Sequence, residues 1–424
     1  MTTESCISRR RLLQVGSAAM LAGAFVPLVR AASATTFRIG FVSPASGPLT
    51  IFSEPDQFVM AQVKRTLGSG ISVNGRQYPV EIIYRDSGSS ETGAAAAARE
   101  LIRDYGVDLM VASSTPATTN PVADVCEAIG VPCLTNDTPW QAHFFGRGGD
   151  PAVGFRWTYH FFWGVEDVVA AYTSLWNQVQ TNRRVGSLWP DDPDGLAWAS
   201  QHGFPPALHQ QNFELFDAGR FRSGQTDFVD IVSRFQQNDV EIVTGVIPPP
   251  DFARFWHEAR RQGFNPKVVT VAKASEFPMA LQPFGSDANG LSVEVSWSPS
   301  HPYHSALTGQ SSAGLASEYT RFSGRNWTIP LGFKHALFEV AIDALRRSQG
   351  PGNPEGIRQA LATTDYHSIV GPVNFQLGPV PNVSKTPLVC GQWEYRYRNL
   401  ELLIVENSLA RDIPLQARLR SMTG

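Results

Sequence analysis

Along most of the chain, apolar β-branched runs of strand length alternate with segments whose apolar residues recur at helical spacing. The first set predicts strands over 37–42, 80–84, 107–112 and 131–134, separated by helices over 58–67, 93–105 and 117–129 and joined by Gly, Pro, Ser and Asn turns. A second set follows, with helices over 165–178, 196–208, 228–236 and 251–262 between strands over 185–189, 213–216, 242–247 and 268–272. A strand over 291–297 then leads to helices near 313–322, 333–347 and 354–362, and an antiparallel segment from about 370 to 405 comes last. Such alternation predicts an α/β fold of two Rossmann-like lobes with mainly parallel strands.

Between the two sets, residues 143–163 are first glycine-rich and then strongly aromatic, which marks the first passage from one lobe to the other. With the returns later in the chain there are three passages, and three passages imply a hinge with a cleft beside it. The expected division is 35–155 with 298–370 in the first lobe and 156–297 with 371–424 in the second.

Composition narrows the function. The 424 residues are 42% hydrophobic and 17% charged with a formal net charge of −3, which is a globular composition of two or three domains rather than a disordered one. The 35 Lys and Arg residues are scattered, so there is no electrostatic footprint for nucleic acid. At the N-terminus, Ser8-Arg9-Arg10-Arg11-Leu12-Leu13-Gln14 precedes an apolar stretch over 15–29 and then Ala32-Ser33-Ala34. This resembles a twin-arginine export signal over 1–34 with cleavage after Ala34, its apolar run being shorter than the ~20 residues a spanning helix needs. A periplasmic location follows. The mature chain keeps Cys126, Cys133 and Cys390, an odd number, and they read as buried thiols.

The opening Arg38-Ile39-Gly40-Phe41-Val42-Ser43-Pro44-Ala45-Ser46-Gly47-Pro48, Asp86 after the second strand, Ser113-Ser114-Thr115 after the third and Ile369-Val370-Gly371-Pro372-Val373 near the end occur in a telling order. In these features the chain resembles the type I periplasmic binding proteins, specifically the Leu/Ile/Val-binding branch that serves ABC importers. The resemblance implies a two-lobed binder of small molecules, acting as a monomer without cofactor or metal, whose partner is an inner-membrane ABC permease.

The resemblance also places ligand contacts at turns after strands. Ser113, Ser114 and Thr115 precede Pro116, where hydroxyls, backbone N–H groups and the positive end of a helix can hold a carboxylate, the alternative being an ordinary helix cap. The next contact turn, Thr135 to Trp140, adds Asp137 and Trp140 where amino-acid binders use small residues and a threonine, and it keeps Thr138. In the second lobe Trp189-Pro190-Asp191-Asp192-Pro193-Asp194-Gly195 replaces a tyrosine turn. Asp192 there reads as a cleft contact, a metal ligand by Asp-x-Asp spacing, or a turn and cap residue. Ile247 ends a second-lobe strand, and Lys273 stands where amino-acid binders carry an acid for the α-ammonium. A lysine facing the cleft repels an ammonium and attracts an anion; one in solvent leaves an amino acid or amide open as ligand. Phe52, Trp140, Tyr159 and their aromatic neighbours supply flat apolar area. Together these residues point to a carboxylate with an apolar or aromatic body, captured by hinge closure.

Two other classes compete for the same residues. A hydrolase or metal enzyme finds no Gly-x-Ser-x-Gly elbow and no phosphate loop, and Arg261 stands where a second metal-binding His would follow His257-Glu258. His301-Pro302-Tyr303-His304 reads as a loop. An enzyme is therefore disfavoured. A ligand-sensing module for a membrane receptor would share the same cleft.

Overall fold

The structure, a computed structural model, describes residues 35–225 and 227–423. The arginine pair and the expected cleavage site at Ala34 lie outside the described residues. A six-stranded sheet is built, in spatial order, from Val383–Ser384, Thr158–Phe161, Cys133–Asn136, Leu109–Ser113, Phe37–Ser43 and Val80–Asp86, and every pairing in it is parallel. A seven-stranded sheet runs Asn399–Glu406, Val389–Arg396, Ser292–Val295, Val268–Lys273, Ile242–Ile247, Arg184–Pro190 and Glu214–Phe221. It is parallel except for the two antiparallel strands at 389–406. The expected α/β fold of two Rossmann-like lobes is the fold observed.

Central strands are buried on both faces, which is why they read as unbroken apolar runs: all six residues of Ile242–Ile247 are buried, as are all six of Val268–Lys273. The helices that cover them carry one apolar stripe. In Pro249–Arg261 the residues Phe252, Phe255, Trp256 and Ala259 turn inward at i, i+3, i+4 and i+7, while Arg260 and Arg261 sit in the last turn, facing the negative end of the helix dipole. Helix Glu91–Tyr105 starts where Ser90 accepts the Gly93 N–H at 3.1 Å and stops at Gly106, whose φ of 58° is the left-handed conformation a helix end favours.

Three local features differ from the sequence expectation. The helix expected over 196–208 is two helices, Pro193–Trp198 and Phe204–Gln210. Pro205 and Pro206 lack the N–H a continuing helix needs, so they fit only the first turn of a new one. A hairpin absent from the expectation pairs Ile71–Val73 with Arg76–Tyr78 around Asn74 and Gly75, with φ of 49° and 78°, the pair that a tight hairpin turn favours. Finally, Thr158–Phe161 and Val383–Ser384 belong to the first sheet. The sheet pairings thus put residues 158–161 and 383–384, expected in the second lobe, in the first sheet.

Candidate functional site

The carboxyl ends of the parallel strands in both sheets converge on a narrow cavity with about 340 Å³ of empty space, part of it open to solvent. From the first lobe come Phe52, Thr115, Pro116, Asp137, Pro139, Phe162 and Trp163, and from the second Asp194, Trp198, Val246, Ala272, Lys273, Glu276 and Glu294. A second, wider space of about 1070 Å³, also open to solvent, shares Thr115 and Lys273 with the first and reaches outward past Leu49, Ser89, Asp192 and Arg254. Across the gap, Phe52 of the first lobe meets Phe277 of the second edge to face, with ring centroids 4.9 Å apart.

Aromatic side chains form much of the wall because they are anchored behind it. Trp198 stacks on Phe204 at 5.1 Å and meets Trp189 edge-on at 6.1 Å, while Phe162 packs between Trp163 and Phe333, each 4.7 Å away. The indole N–H groups of Trp163 and Trp198 are buried and have no protein partner. A buried donor ordinarily has a partner, so each is an unmet hydrogen bond beside the cavity.

The polar part of the wall is acidic. Lys273 ends its strand with φ 62° and ψ −65°, a strained backbone for a lysine, and places Nζ 2.6 Å from Asp194 and 3.7 Å from Asp192. Burial pulls its pKa down, but the two aspartates outweigh burial and hold it above the ordinary lysine value. Glu276 accepts the Lys273 N–H at 2.8 Å, and Glu294 accepts the phenol of Tyr172. Asp137, with φ 64° and only 8% exposed, has a carboxylate oxygen without a partner. Burial pushes Asp137 up to about 7 and Glu294 up to about 8, and it raises Glu276 well above the carboxylate range.

Of the residues expected to touch ligand, Phe52, Thr115, Asp137 and Lys273 line the inner cavity and Asp192 lines the outer space. The structure sets the other six elsewhere. Ser113 and Ser114 are buried beneath the turn, and their hydroxyls find no protein partner; Thr138 donates to the Ser114 carbonyl at 3.1 Å. Trp140 opens a short helix and turns its N–H to Glu166 at 3.1 Å. Glu166, with Asp167, is bridged by Lys385 at 2.8 and 2.7 Å, so the Trp140 N–H is committed to this cluster and not to the cavity. Tyr159 packs on Phe375 behind the sheet. Strand alternation offers Val246, not Ile247, to the cavity. Thr115 caps helix Pro116–Ile129 without a side-chain bond, whereas Asp192 does cap, accepting the Gly195 N–H at 2.9 Å. Glu276, Glu294 and Trp198 are absent from the sequence expectation, and Asp194 enters it only through the Asp-x-Asp turn. The signal for Glu294 was present: a lone carboxylate within the short strand Ser292–Val295 is anomalous unless it faces a polar space.

Elsewhere, Cys126, Cys133 and Cys390 are buried and unbridged. Among the described residues no group of three or more His, Cys, Asp or Glu side chains is placed to hold a metal ion, and no helix is long and apolar enough to cross a membrane.

The family described as periplasmic binding protein matches residues 36–380, and the chain belongs to it. Solved structures share the fold at low identity. The leucine-binding protein LivK of Thermotoga maritima is 17% identical with a TM-score of 0.72, covering 88% of this chain and 99% of its own. A solute-binding protein of an ABC transporter from R. palustris, solved with 4-hydroxybenzoate, is 16% identical with a TM-score of 0.71, covering 88% and 96%. The substrate-binding protein LivJ of Streptococcus pneumoniae, solved with isoleucine, is 16% identical with a TM-score of 0.68, covering 88% and 99%.

Proposed function

We propose that this chain is the exported solute receptor of an ABC importer, which captures one small organic molecule between its lobes and delivers it unchanged to an inner-membrane permease. The observation that carries the reading is the cavity lined from both lobes at the strand ends. A solute held there touches both halves, so binding stabilises the closed arrangement by its differential contacts. Export through the twin-arginine route, cleavage after Ala34 and action as a monomer are part of the same proposal.

The aromatic wall supports an apolar or aromatic body for the solute, like those of the molecules bound in the structural relatives. The carboxylate head expected from Lys273 loses its support, because that ammonium is already held by Asp194 and Asp192, and an incoming anion would have to displace them. Small-angle scattering and solute analysis test the function together. The protein purified from its native periplasm is expected to carry a stoichiometric small molecule that is recovered chemically intact, and removing it is expected to open the lobes. An envelope indifferent to that molecule, or its conversion by the protein, would remove the reading.

A further inference from the structure

We propose that the solute is an organic cation, an ammonium or amidinium group on an apolar or aromatic body. This rests on the solute-receptor reading and assigns the chemical class of its ligand. Four carboxyl groups line the cavity, those of Asp137, Asp194, Glu276 and Glu294, against the single ammonium of Lys273. Lys273 is spent on Asp194 and Asp192. The other three cavity acids have no cationic partner: Glu294 has a phenol, Glu276 has a backbone N–H, and Asp137 is more than nine-tenths buried with an oxygen bonded to nothing. Lys334, whose charge also acts on Asp137, is tied to Asp56 at 3.2 Å.

Desolvated carboxylates without counter-charge are unfavourable in the empty cleft and become favourable once a cation enters. The aromatic side chains of Phe52, Phe162, Trp163 and Trp198 complete the lining, and any ring face turned to the cavity attracts an organic cation.

The charged and titratable neighbours fix the expected pH behaviour. Glu294 faces Tyr172, Cys390 and Glu276; Glu276 faces Glu294, Asp137 and Lys273; Asp137 faces Lys334, Asp56 and Glu276. Burial keeps Asp137 and Glu294 partly protonated near neutrality. A cation binds the ionised forms, so it expels protons and binds tighter as pH rises from 6 to 9.

Calorimetry with the size-matched probes 2-phenylethylamine, 3-phenylpropanoate and phenylalanine, in buffers of different ionisation enthalpy, tests this. The amine is expected to bind at least tenfold tighter than the propanoate and to release protons. Glu294→Gln and Asp137→Asn, checked for folding by thermal melts, are each expected to weaken it tenfold or more. Preference for the propanoate, or binding of phenylalanine but not the amine, overturns the cation assignment and leaves the solute receptor standing. Amine binding without proton release, on the unaltered protein, also overturns it. Mass spectrometry of the solute released from natively purified protein decides independently of any probe: a net cation supports the assignment and a net anion or zwitterion overturns it. If no probe binds and no solute is released, both readings fall.

Discussion

Two buried lysines stand on opposite sides of the cleft and do different work. Lys334, from helix Pro330–Arg347 of the first lobe, is fully buried and has no contact with the cavity. Its Nζ reaches Asp56 at 3.2 Å, the Ser43 hydroxyl at 3.0 Å and the Ser113 carbonyl at 2.5 Å, so it ties two strand ends together beneath the hydroxyl turn. Lys273 of the second lobe sits at a strand end in the wall itself, where the inner cavity meets the outer space, beside surplus acid. The first ion pair sits in the packing beneath the site, while the second sets the charge the site presents. A lysine at a promising position is thus no measure of ligand charge until its partners are counted.

The comparison can be broken most severely at the first lysine. Lys334→Met leaves Asp56 buried without counter-charge and is expected to cost about 3–5 kcal/mol of stability in urea denaturation. Adding Asp56→Leu should recover most of that loss; a pair of additive losses would show that the ion pair does not act as a unit. Lys273→Met is expected to cost less, about 1–3 kcal/mol, because Asp192 is a quarter exposed and water can enter the cavity. If the two lysines prove equally costly, the distinction drawn between them fails.

A pH titration of stability sharpens the contrast further. Glu294 and Asp137 have raised pKa values in the folded chain, so folding binds protons and stability is lost as pH rises toward 8. Glu339, buried in the first lobe and pushed up to about 7, has the same sign. Buried His160, His301 and His335 are pushed down to about 3, 3 and 4 by burial, so they act with the opposite sign and fade only above pH ~7.5, about a unit past the unfolded value. Carboxyls dominate the window from about 7.5 to 8.5: melting temperature is expected to fall across it, and Glu294→Gln to flatten the fall. The smallest effect belongs to the Lys385 cluster. Lys385→Met is expected to cost about 0.5–1 kcal/mol, since that cluster is a third exposed, and a larger loss in guanidinium denaturation would put it on a level with Lys334.

The lobes were readable because their strands are buried on both faces and their helices carry one stripe, so periodicity alone separates them, as in Ile242–Ile247 and Pro249–Arg261. Thr158–Phe161 was hidden, since its own aromatic stretch also suits a linker, and only pairing with Cys133–Asn136 shows it to be a strand. In the site, turn residues such as Thr115 and Asp137 were legible from their place after a strand. Trp140 and Tyr159 were not, because an aromatic's direction is set by what it packs on, here Phe144 and Phe375. Lys273 was legible in position but not in effect, its acidic partners lying some 80 residues earlier.

The two-residue strand Val383–Ser384 closes the edge of the first sheet, although four of that sheet's six strands lie within the first 136 residues. On the ribosome, the leading half therefore acquires its last edge only after residue 384 has emerged, and a truncation just before residue 383 would leave Thr158–Phe161 as a bare edge.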